Sequence, residues 1–232
     1  MLVKSINKNH DFQSTMIQTV IFDMDGVIID SEPVYFDIDK QMFEELNIAV
    51  SFEEHCSYVG TSSQNMWTAI ITKHGIADRP EELMRREYGL YKEHLVNAND
   101  LQPIDGVVKL INDLRENNFK LVLASSSRME TIDIVLNKFK LTEFFMAKVS
   151  GSELAHSKPH PEIFLRAAQL IKSEPGECIV LEDSKNGVTA AKAAGMKCIG
   201  FLNPSSGDQD LANADMVIHS FKELNAAIVK RL

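Results

Sequence analysis

Apolar strands and amphipathic helices alternate through the second half of the chain. The predicted helices cover residues 107–116, 129–139, 161–171, 186–194 and a segment from about Phe221. The predicted strands cover residues 120–124, 147–150, 178–181, 197–201 and 215–218. Strands that alternate with helices are typical of a parallel sheet with helices on both faces. The sequence therefore predicts an α/β fold built on a doubly wound, Rossmann-like parallel sheet.

An earlier apolar run, residues 17–22, predicts the first strand of this sheet. No strand pattern follows between residues 32 and 100. Helical spacing there predicts a helix that begins near Pro33, with Ser31 as its cap, and three more at residues 52–59, 62–74 and 80–96. This stretch interrupts the sheet after its first strand, as an inserted helical cap would.

The predicted domain organisation follows from this interruption. Residues 16–31 and 101–232 form the α/β core domain, and residues 32–100 form the helical cap domain. Residues 1–15 are polar and lack the apolar region of a secretory signal. We expect them to be a poorly ordered extension.

Composition restricts the class of partner. Of the 232 residues 44% are hydrophobic and 25% charged, and the net charge is −9. This acidity argues against nucleic acid or an anionic membrane as the main partner, and no apolar run approaches the roughly 18 residues that span a bilayer. The three cysteines are widely spaced without a CxxC pattern, which indicates buried thiols in a reducing compartment rather than a disulfide framework or a zinc site. We therefore expect a cytoplasmic protein.

Polar side chains follow four of the predicted strands, either directly at the strand end or in the loop after it. In chain order these groups are Asp23 and Asp25, Ser125 to Ser127, Lys158, and Glu182 with Asp183. Because parallel strands all present their carboxyl ends at one edge of the sheet, these groups are expected to meet there. The sequence thus predicts one site made of acids, hydroxyls and a lysine.

This set of groups suits phosphoryl transfer. Asp23 and Asp25, two residues apart on an extended segment, face the same way and repel each other, so their site needs a cation or a proton. Mg²⁺ prefers carboxylate oxygens, which Asp23 and Asp183 can supply. Lys158 can neutralise a phosphate oxygen, while Ser125 and nearby backbone amides add donors.

A carboxylate can also act as the nucleophile, through an aspartyl-phosphate. A second aspartate two residues further on can protonate the leaving oxygen and then deprotonate the attacking water. The chain contains no GxSxG, Walker or GxGxxG motif, so serine-hydrolase and nucleotide-loop interpretations have no support.

These motifs resemble, in order, the four motifs of the haloacid dehalogenase superfamily of phosphohydrolases. The matching segments are Asp23-Met24-Asp25-Gly26 with its continuation to Pro33, then Ser125, then Lys158-Pro159, and finally Glu182-Asp183 with Asn186-Gly187. The resemblance covers nearly the whole chain from Met16. The helical block resembles the α-helical cap of the first subtype of the family.

The resemblance implies a role for each matched residue. Asp23 is the expected nucleophile and Asp25 the general acid/base, whose presence favours phosphate chemistry over dehalogenation. The implied Mg²⁺ ligands are Asp23, the backbone carbonyl of Asp25, and Asp183, with Glu182 as a further candidate. The implied phosphate-binding residues are Ser125, Ser126 and Lys158.

Within the family the chain is similar to β-phosphoglucomutase-like enzymes and sugar-phosphate phosphatases. The mutases carry a histidine early in the cap and an arginine in a cap loop, and here Tyr35 and Ser63 stand at those positions. An arginine that grips a second phosphate is therefore missing there, although Arg85, Arg86 or Lys92 could substitute for it. This favours a phosphatase that acts on a sugar phosphate or a phosphoglycolate-like metabolite, and a mutase is the alternative.

Cap residues would set the substrate. The candidates are Tyr35, Thr61, Ser62, Arg86 and, from the core, Ser127. We expect Trp67 to pack in the cap interior instead. Two non-enzymatic hypotheses remain open, a receiver-like phospho-acceptor and a regulator without catalysis.

Overall fold

In the part of the protein that the structure describes, six parallel strands form one sheet at the centre of the fold. The computed structural model describes residues 16–58 and 61–232, so the extension predicted for residues 1–15 lies outside the described part. The strand order is β3-β2-β1-β4-β5-β6. The strands are β1 (Thr19–Phe22), β2 (Lys120–Ser125), β3 (Ala147–Ser150), β4 (Cys178–Glu182), β5 (Lys197–Phe201) and β6 (Met216–Ile218). Because the chain builds outward from β1 first on one side and then on the other, this is a doubly wound sheet, and the predicted fold class is confirmed.

The central strand β1 is buried on both faces, as its unbroken apolar sequence requires. Val20 and Phe22 lie in one hydrophobic cluster, and Ile21 lies in the other. Successive residues of a strand point to opposite faces, so β1 contributes to the packing of helices on each side of the sheet. Phe22 also meets Phe145 edge to face, with ring centroids 5.8 Å apart.

Nine α-helices accompany the sheet in the described residues. Four of them lie between β1 and β2 as a continuous helical stretch: α1 (Glu32–Glu45), α2 (Phe52–Cys56), α3 (Ser63–His74) and α4 (Pro80–Asn97). The others are α5 (Val107–Glu116), α6 (Met129–Lys138), α7 (Glu162–Leu170), α8 (Lys185–Ala193) and α9 (Ala226–Val229). Ser51 and Ser62 cap α2 and α3 by accepting hydrogen bonds from backbone amides.

Three helix predictions need correction. The helix predicted for residues 52–59 ends at Cys56. The helix predicted from Phe221 is interrupted, because Ser220 and Glu223 close a 3-10 turn and Asn225 then caps the short helix α9. Ser31 precedes α1 but its side chain makes no capping hydrogen bond; it is fully buried instead.

The cysteines and the helix lengths bear on two further predictions. Cys56, Cys178 and Cys198 are free thiols; Cys178 and Cys198 are buried as predicted, whereas Cys56 is partly exposed, which corrects the prediction for that residue. Among the described residues, no helix has the length and apolar character needed to cross a bilayer.

Candidate active site

Strand register brings the predicted acids to one edge of the sheet. Phe22 is level with Leu123 of β2 on one side and Leu181 of β4 on the other. Beyond this level β1 ends, whereas β2 continues to Ser125 and β4 to Glu182, and the Asp23 amide still donates to the Leu181 carbonyl at 3.0 Å. This edge, between β1 and β4, is where the direction of strand addition reverses and where open α/β sheets bind ligands.

Lys158 is buried between two of these acids. Its Nζ lies 3.0 Å from Asp23 Oδ1 and 2.5 Å from Glu182 Oε1. Burial opposes the charged lysine, but the carboxylates of Asp23 and Glu182 overcome this and raise its pKa. Lys158 therefore remains a cation at the centre of the acid cluster.

The positive charge of Lys158 does not balance the negative charges of all the carboxylates around it. Burial raises the pKa of Asp23 to about 8 despite the attraction of Lys158, and the charges of Glu182 and Asp25 contribute to the rise. Burial, then Glu182 and Asp23, raise the pKa of Asp183 well above its ordinary value. Asp23, Glu182 and Asp183 each offer an oxygen within 4.8 Å of the others. The donor set and its uncompensated charge fit a hard divalent cation such as Mg²⁺.

The three carboxylates differ in how many hydrogen bonds their oxygens already accept. Glu182 Oε1 accepts from Lys158, and Oε2 accepts from the amide and the hydroxyl of Ser184 at 2.8 and 2.9 Å. Asp183 Oδ2 accepts from Ser206 Oγ at 2.5 Å. Oxygens of Asp23 and Asp183 are thus the better candidates for a metal, and Glu182 holds Lys158 in place.

Two glycines allow this close packing. A Cβ at Gly26 would lie 2.0 Å from Asp183 Oδ2, and one at Gly187 would lie 1.8 Å from Glu182 Oε1. Gly26 also has a φ of +74°, which favours glycine. Both belong to the motifs singled out in the sequence, and their lack of a side chain makes room for the carboxylates.

Asp25 is held by the serines that follow β2. Ser125 Oγ and Ser127 Oγ donate to Asp25 Oδ2 at 3.1 and 2.8 Å. Ser125 is fully buried, so its predicted contact with phosphate stays a prediction and would require its hydroxyl to leave Asp25. Ser126 and Ser127 both line the open space above the edge.

A cavity of about 810 Å³ covers this edge and extends to the four helices α1–α4. From the sheet side it is lined by Asp23, Asp25, Ser126, Ser127, Lys158 and Asp183. The helical side contributes the predicted residues Tyr35, Thr61 and Ser62, and also Ser63. Most of the residues predicted to contact substrate therefore surround one space.

Arg86 is the exception and corrects the prediction. It does not line the cavity; it is about half exposed and pairs with Glu45 on the protein surface. The neighbouring Glu87 is buried and lines the cavity instead. Adjacent helix residues point about 100° apart, and here Glu87 faces the cavity while Arg86 points to the surface. Arg85 and Lys92 also lie outside the lining, and Trp67 is fully buried and meets Phe43 edge-on, as expected.

An acidic wall was missed by the sequence analysis. Glu32, Asp39 and Glu87 line the helical side of the cavity, and His55 Nε2 lies 2.7 Å from Asp39 Oδ2. Burial and then Asp39 raise the pKa of Glu87 to about 8. Burial and then Asp25 raise the pKa of Glu32 to about 7. A sequence feature that could have predicted this wall is an acid at a helical position that faces inward. Glu87, for example, lies one turn from both Leu83 and Tyr91, which are buried.

Arg128 was also missed. It lines the cavity and its guanidinium lies 4.3 Å from the centroid of the Tyr88 ring, in a cation–π contact. It directly follows the three serines, and that position in the sequence was the available signal.

The fold and the site define an α/β enzyme with an acidic centre at the carboxyl edge of a parallel sheet. The family model of haloacid dehalogenase-like hydrolases matches residues 20–201. Beta-phosphoglucomutase from Bacillus subtilis is 30% identical over 219 residues, which cover 92% of this chain and 94% of that protein. Hexitol phosphatase B from Escherichia coli K12 is 31% identical over 217 residues, covering 90% and 95%.

Solved structures give the same fold. CbbY from Rhodobacter sphaeroides, in complex with phosphate, superposes with a TM-score of 0.82 at 22% identity over 94% of this chain and 100% of that one. Beta-phosphoglucomutase from Clostridium difficile superposes with a TM-score of 0.81 at 26% identity, covering 93% and 96%. The chain belongs to the family of haloacid dehalogenase-like hydrolases, which confirms the resemblance.

The raised pKa of Asp23 predicts how stability responds to pH and metal. The folded state keeps a proton that the unfolded chain releases above about pH 4, so stability falls as pH rises toward 8. We expect the Tm of the metal-free protein to fall by about 5 °C or more between pH 5 and pH 8. Mg²⁺ should raise Tm more at pH 8 than at pH 5. Calorimetry in EDTA and in Mg²⁺ tests this, and an equal effect of Mg²⁺ at both pH values would contradict it.

Proposed function

We propose that this protein is a Mg²⁺-dependent phosphatase that hydrolyses a small sugar-type phosphomonoester through an aspartyl-phosphate on Asp23. The observation that carries the proposal is the position of the Asp23 carboxylate at the floor of the cavity, 3.0 Å from Lys158. A carboxylate beside a fixed cation is suited to attack phosphorus, because the cation attracts the phosphoryl oxygens to it. Membership of a hydrolase family supports this chemistry.

Asp23 and Asp183 would hold the Mg²⁺, with the backbone carbonyl of Asp25 as a further ligand implied by the family resemblance. When bound, the ion supplies positive charge that stabilises the transferring phosphoryl group. Lys158, beside Asp23, would contribute the same kind of stabilisation, while Glu182 fixes the lysine. In this arrangement Asp23 stays ionised for attack.

Asp25 would move the protons. Ser125 and Ser127 hold its Oδ2, which sets the orientation of the carboxyl group. Asp25 would give a proton to the leaving oxygen as the phosphoryl group passes to Asp23. It would then take a proton from the water that hydrolyses the aspartyl-phosphate.

The helical side of the cavity supports an uncharged leaving group rich in hydroxyls. Its acids are Glu32, Asp39 and Glu87, and its histidine is already paired with Asp39. Among the described residues of α1–α4 that line the cavity there is no lysine or arginine. Carboxylates and serines can bind sugar hydroxyls, whereas a second anion facing this wall would lack a partner.

These features favour a phosphatase over a mutase, which must hold a bisphosphate. Tyr35 and Ser63, at the positions of the mutase histidine and arginine, both line the cavity. Arg128, on the sheet side, is the observation that keeps a mutase as the second candidate. We further propose that residues 32–100 form a cap domain that excludes bulk water during transfer.

A substrate panel tests the proposal. Phosphate release from an aryl phosphate, hexose and hexitol phosphates and phosphoglycolate would be measured with Mg²⁺ or EDTA. We expect Mg²⁺-dependent turnover, faster with hexose or hexitol phosphates than with the anionic phosphoglycolate. Glucose 1-phosphate with a bisphosphate primer forms the mutase arm, where conversion to glucose 6-phosphate without phosphate release would overturn the phosphatase proposal. Stoichiometric phosphorylation without turnover would instead indicate a receiver-like protein.

Asp25→Asn separates proton transfer from metal binding. The amide keeps the shape of the side chain but cannot carry the proton, so kcat is expected to fall by about 10²- to 10⁴-fold. The Mg²⁺-induced rise in Tm should remain, since the side chain of Asp25 is not assigned to the metal. Asp37→Asn, at an exposed position of α1, is the matched control. Loss of the Mg²⁺ effect in Asp25→Asn would contradict this division of roles.

A further inference from the structure

Two histidines and a glutamate lie together at the rim of the cavity. The residues are His156, His160 and Glu162, and ligand atoms of the three side chains all lie within 4.8 Å of one another. His156 also lines the cavity, but none of the three has a part in the chemistry assigned to the acidic centre. Their side chains are 61%, 49% and 30% exposed, so an ion can reach them from the solvent.

A turn of the backbone brings the two histidines together. The His160 amide donates to the Ser157 carbonyl at 3.0 Å, so the chain reverses between them, and their rings stack with centroids 4.3 Å apart. Glu162 follows as the first residue of α7, and its Oε2 accepts from the His156 amide at 3.0 Å. The backbone thus orients the three side chains toward one another.

The distances between the possible ligand atoms suit one small ion. Glu162 Oε2 lies 2.9 Å from His156 Nδ1 and 4.0 Å from His160 Nδ1. Around a tetrahedral Zn²⁺ with bonds of about 2.0–2.1 Å, neighbouring ligand atoms are roughly 3.3 Å apart, which lies between these two values. The ion would replace the hydrogen bond between His156 and Glu162, and the 3.3 Å bond that the Glu162 amide donates to His160 Nδ1.

The ligand types select an ion different from the Mg²⁺ of the acidic centre. Imidazole nitrogens suit Zn²⁺ and related transition metals, whereas Mg²⁺ prefers oxygen ligands. Two imidazoles and one carboxylate are a recognised ligand set for Zn²⁺, which leaves a fourth position for water. The hydrogen bond from His156 holds the pKa of Glu162 below its ordinary value, so this carboxylate is ionised and can offset part of the charge of the ion.

We propose that His156, His160 and Glu162 bind one Zn²⁺ ion, at a second metal site separate from the acidic centre. The inference does not depend on the proposed phosphatase activity, because the site is defined by metal binding alone.

The second site would act on the turn that carries Lys158. In sequence Lys158 stands between the two histidines, but its side chain is only 5% exposed and extends inward to Asp23 and Glu182. The histidines lie on the solvent side of the same turn. A bound ion would therefore restrict the segment from which the buried lysine extends. Because binding to the folded state stabilises it, Zn²⁺ in excess Mg²⁺ should raise the Tm of the unaltered protein more than that of His160→Gln.

Titration with Co²⁺ in excess Mg²⁺ tests the site. Co²⁺ can replace Zn²⁺, and in a four-coordinate site with nitrogen ligands it absorbs visible light much more strongly than in a six-coordinate oxygen site. For the whole protein we expect a strong visible band that saturates at one equivalent and disappears when Zn²⁺ is added. In His156→Gln and in His160→Gln the Kd for Co²⁺ should rise at least about tenfold, because even residues that only orient metal ligands contribute that much to affinity.

Two control variants locate the signal. His219→Gln removes an exposed histidine outside the cluster and should leave the band unchanged. Asp183→Asn removes a carboxylate of the acidic centre and should also leave it unchanged. The second site would be overturned if no strong band formed at one equivalent, if either histidine variant kept it at full affinity, or if Asp183→Asn lost it. Since no substrate is present, failure of the phosphatase proposal would not alter these results.

Discussion

Asp23→Asn is expected to abolish phosphatase activity, with kcat reduced by about a thousandfold or more. The amide has nearly the same shape as the carboxylate but cannot attack phosphorus, so no aspartyl-phosphate forms. Phosphate release from the preferred ester in Mg²⁺ measures the loss. The absence of phosphorylated protein after rapid acid quenching would identify the missing step.

The same variant is expected to fold at least as stably as the unaltered protein without metal. Burial raises the pKa of Asp23 to about 8, which shows that its ionised form is disfavoured in the folded state. Replacing it with a neutral amide removes that penalty at neutral pH, so the metal-free Tm at pH 8 should be maintained or rise. Asp78→Asn, at an exposed position, is the control. Retention of more than a few per cent of activity in Asp23→Asn would exclude Asp23 as nucleophile.

Lys158→Met is expected to remove activity and also to destabilise the fold. The lysine is only 5% exposed and is the cation that contacts both Asp23 and Glu182. Breaking a buried ion pair on one side leaves charge without compensation, at a cost of about 3–5 kcal/mol. For a chain of this size the Tm should fall by about 10 °C. Thermal unfolding at pH 8 without metal measures the effect.

Two comparisons make this prediction specific. At pH 5 the remaining acids can bind protons, so the loss of Tm in Lys158→Met should be smaller than at pH 8. Lys185→Met removes an exposed ion pair with Asp210, whose contribution is at most about 1 kcal/mol, and should change Tm little at either pH. A loss of Tm in Lys158→Met that is independent of pH would show that packing, and not charge, is what the lysine contributes.

The parallel sheet, and the edge at which its polar residues meet, could be predicted from the sequence because both depend on local patterns. Short apolar runs followed by Asp23, Ser125 and Asp183 mark strand ends, and parallel strands present those ends together. The helical stretch was recognisable for a similar reason, since its apolar residues recur at helical spacing. Neither prediction required knowledge of which helix packs on which.

Local patterns could not predict which polar residues of the helices α1–α4 line the cavity. Arg86 and Glu87 are adjacent in sequence and equally polar, yet one pairs with Glu45 on the surface and the other is buried. The pairing of Asp39 with His55 joins α1 to α2, and no sequence pattern within either helix predicts this pairing. Which polar residues face inward depends on how the helices rotate against one another to bury their apolar faces.

The sequence alone determined the α/β class, the four motifs and the edge at which they meet, because strand ends and turn glycines are local features. The tertiary structure decided the rest. It placed the hydroxyls of Ser125 and Ser127 against Asp25, lined the cavity with acids instead of Arg86, and buried Ser31 without a capping hydrogen bond. Each of these outcomes depends on long-range packing, in which a polar group takes whichever buried partner the fold brings within reach.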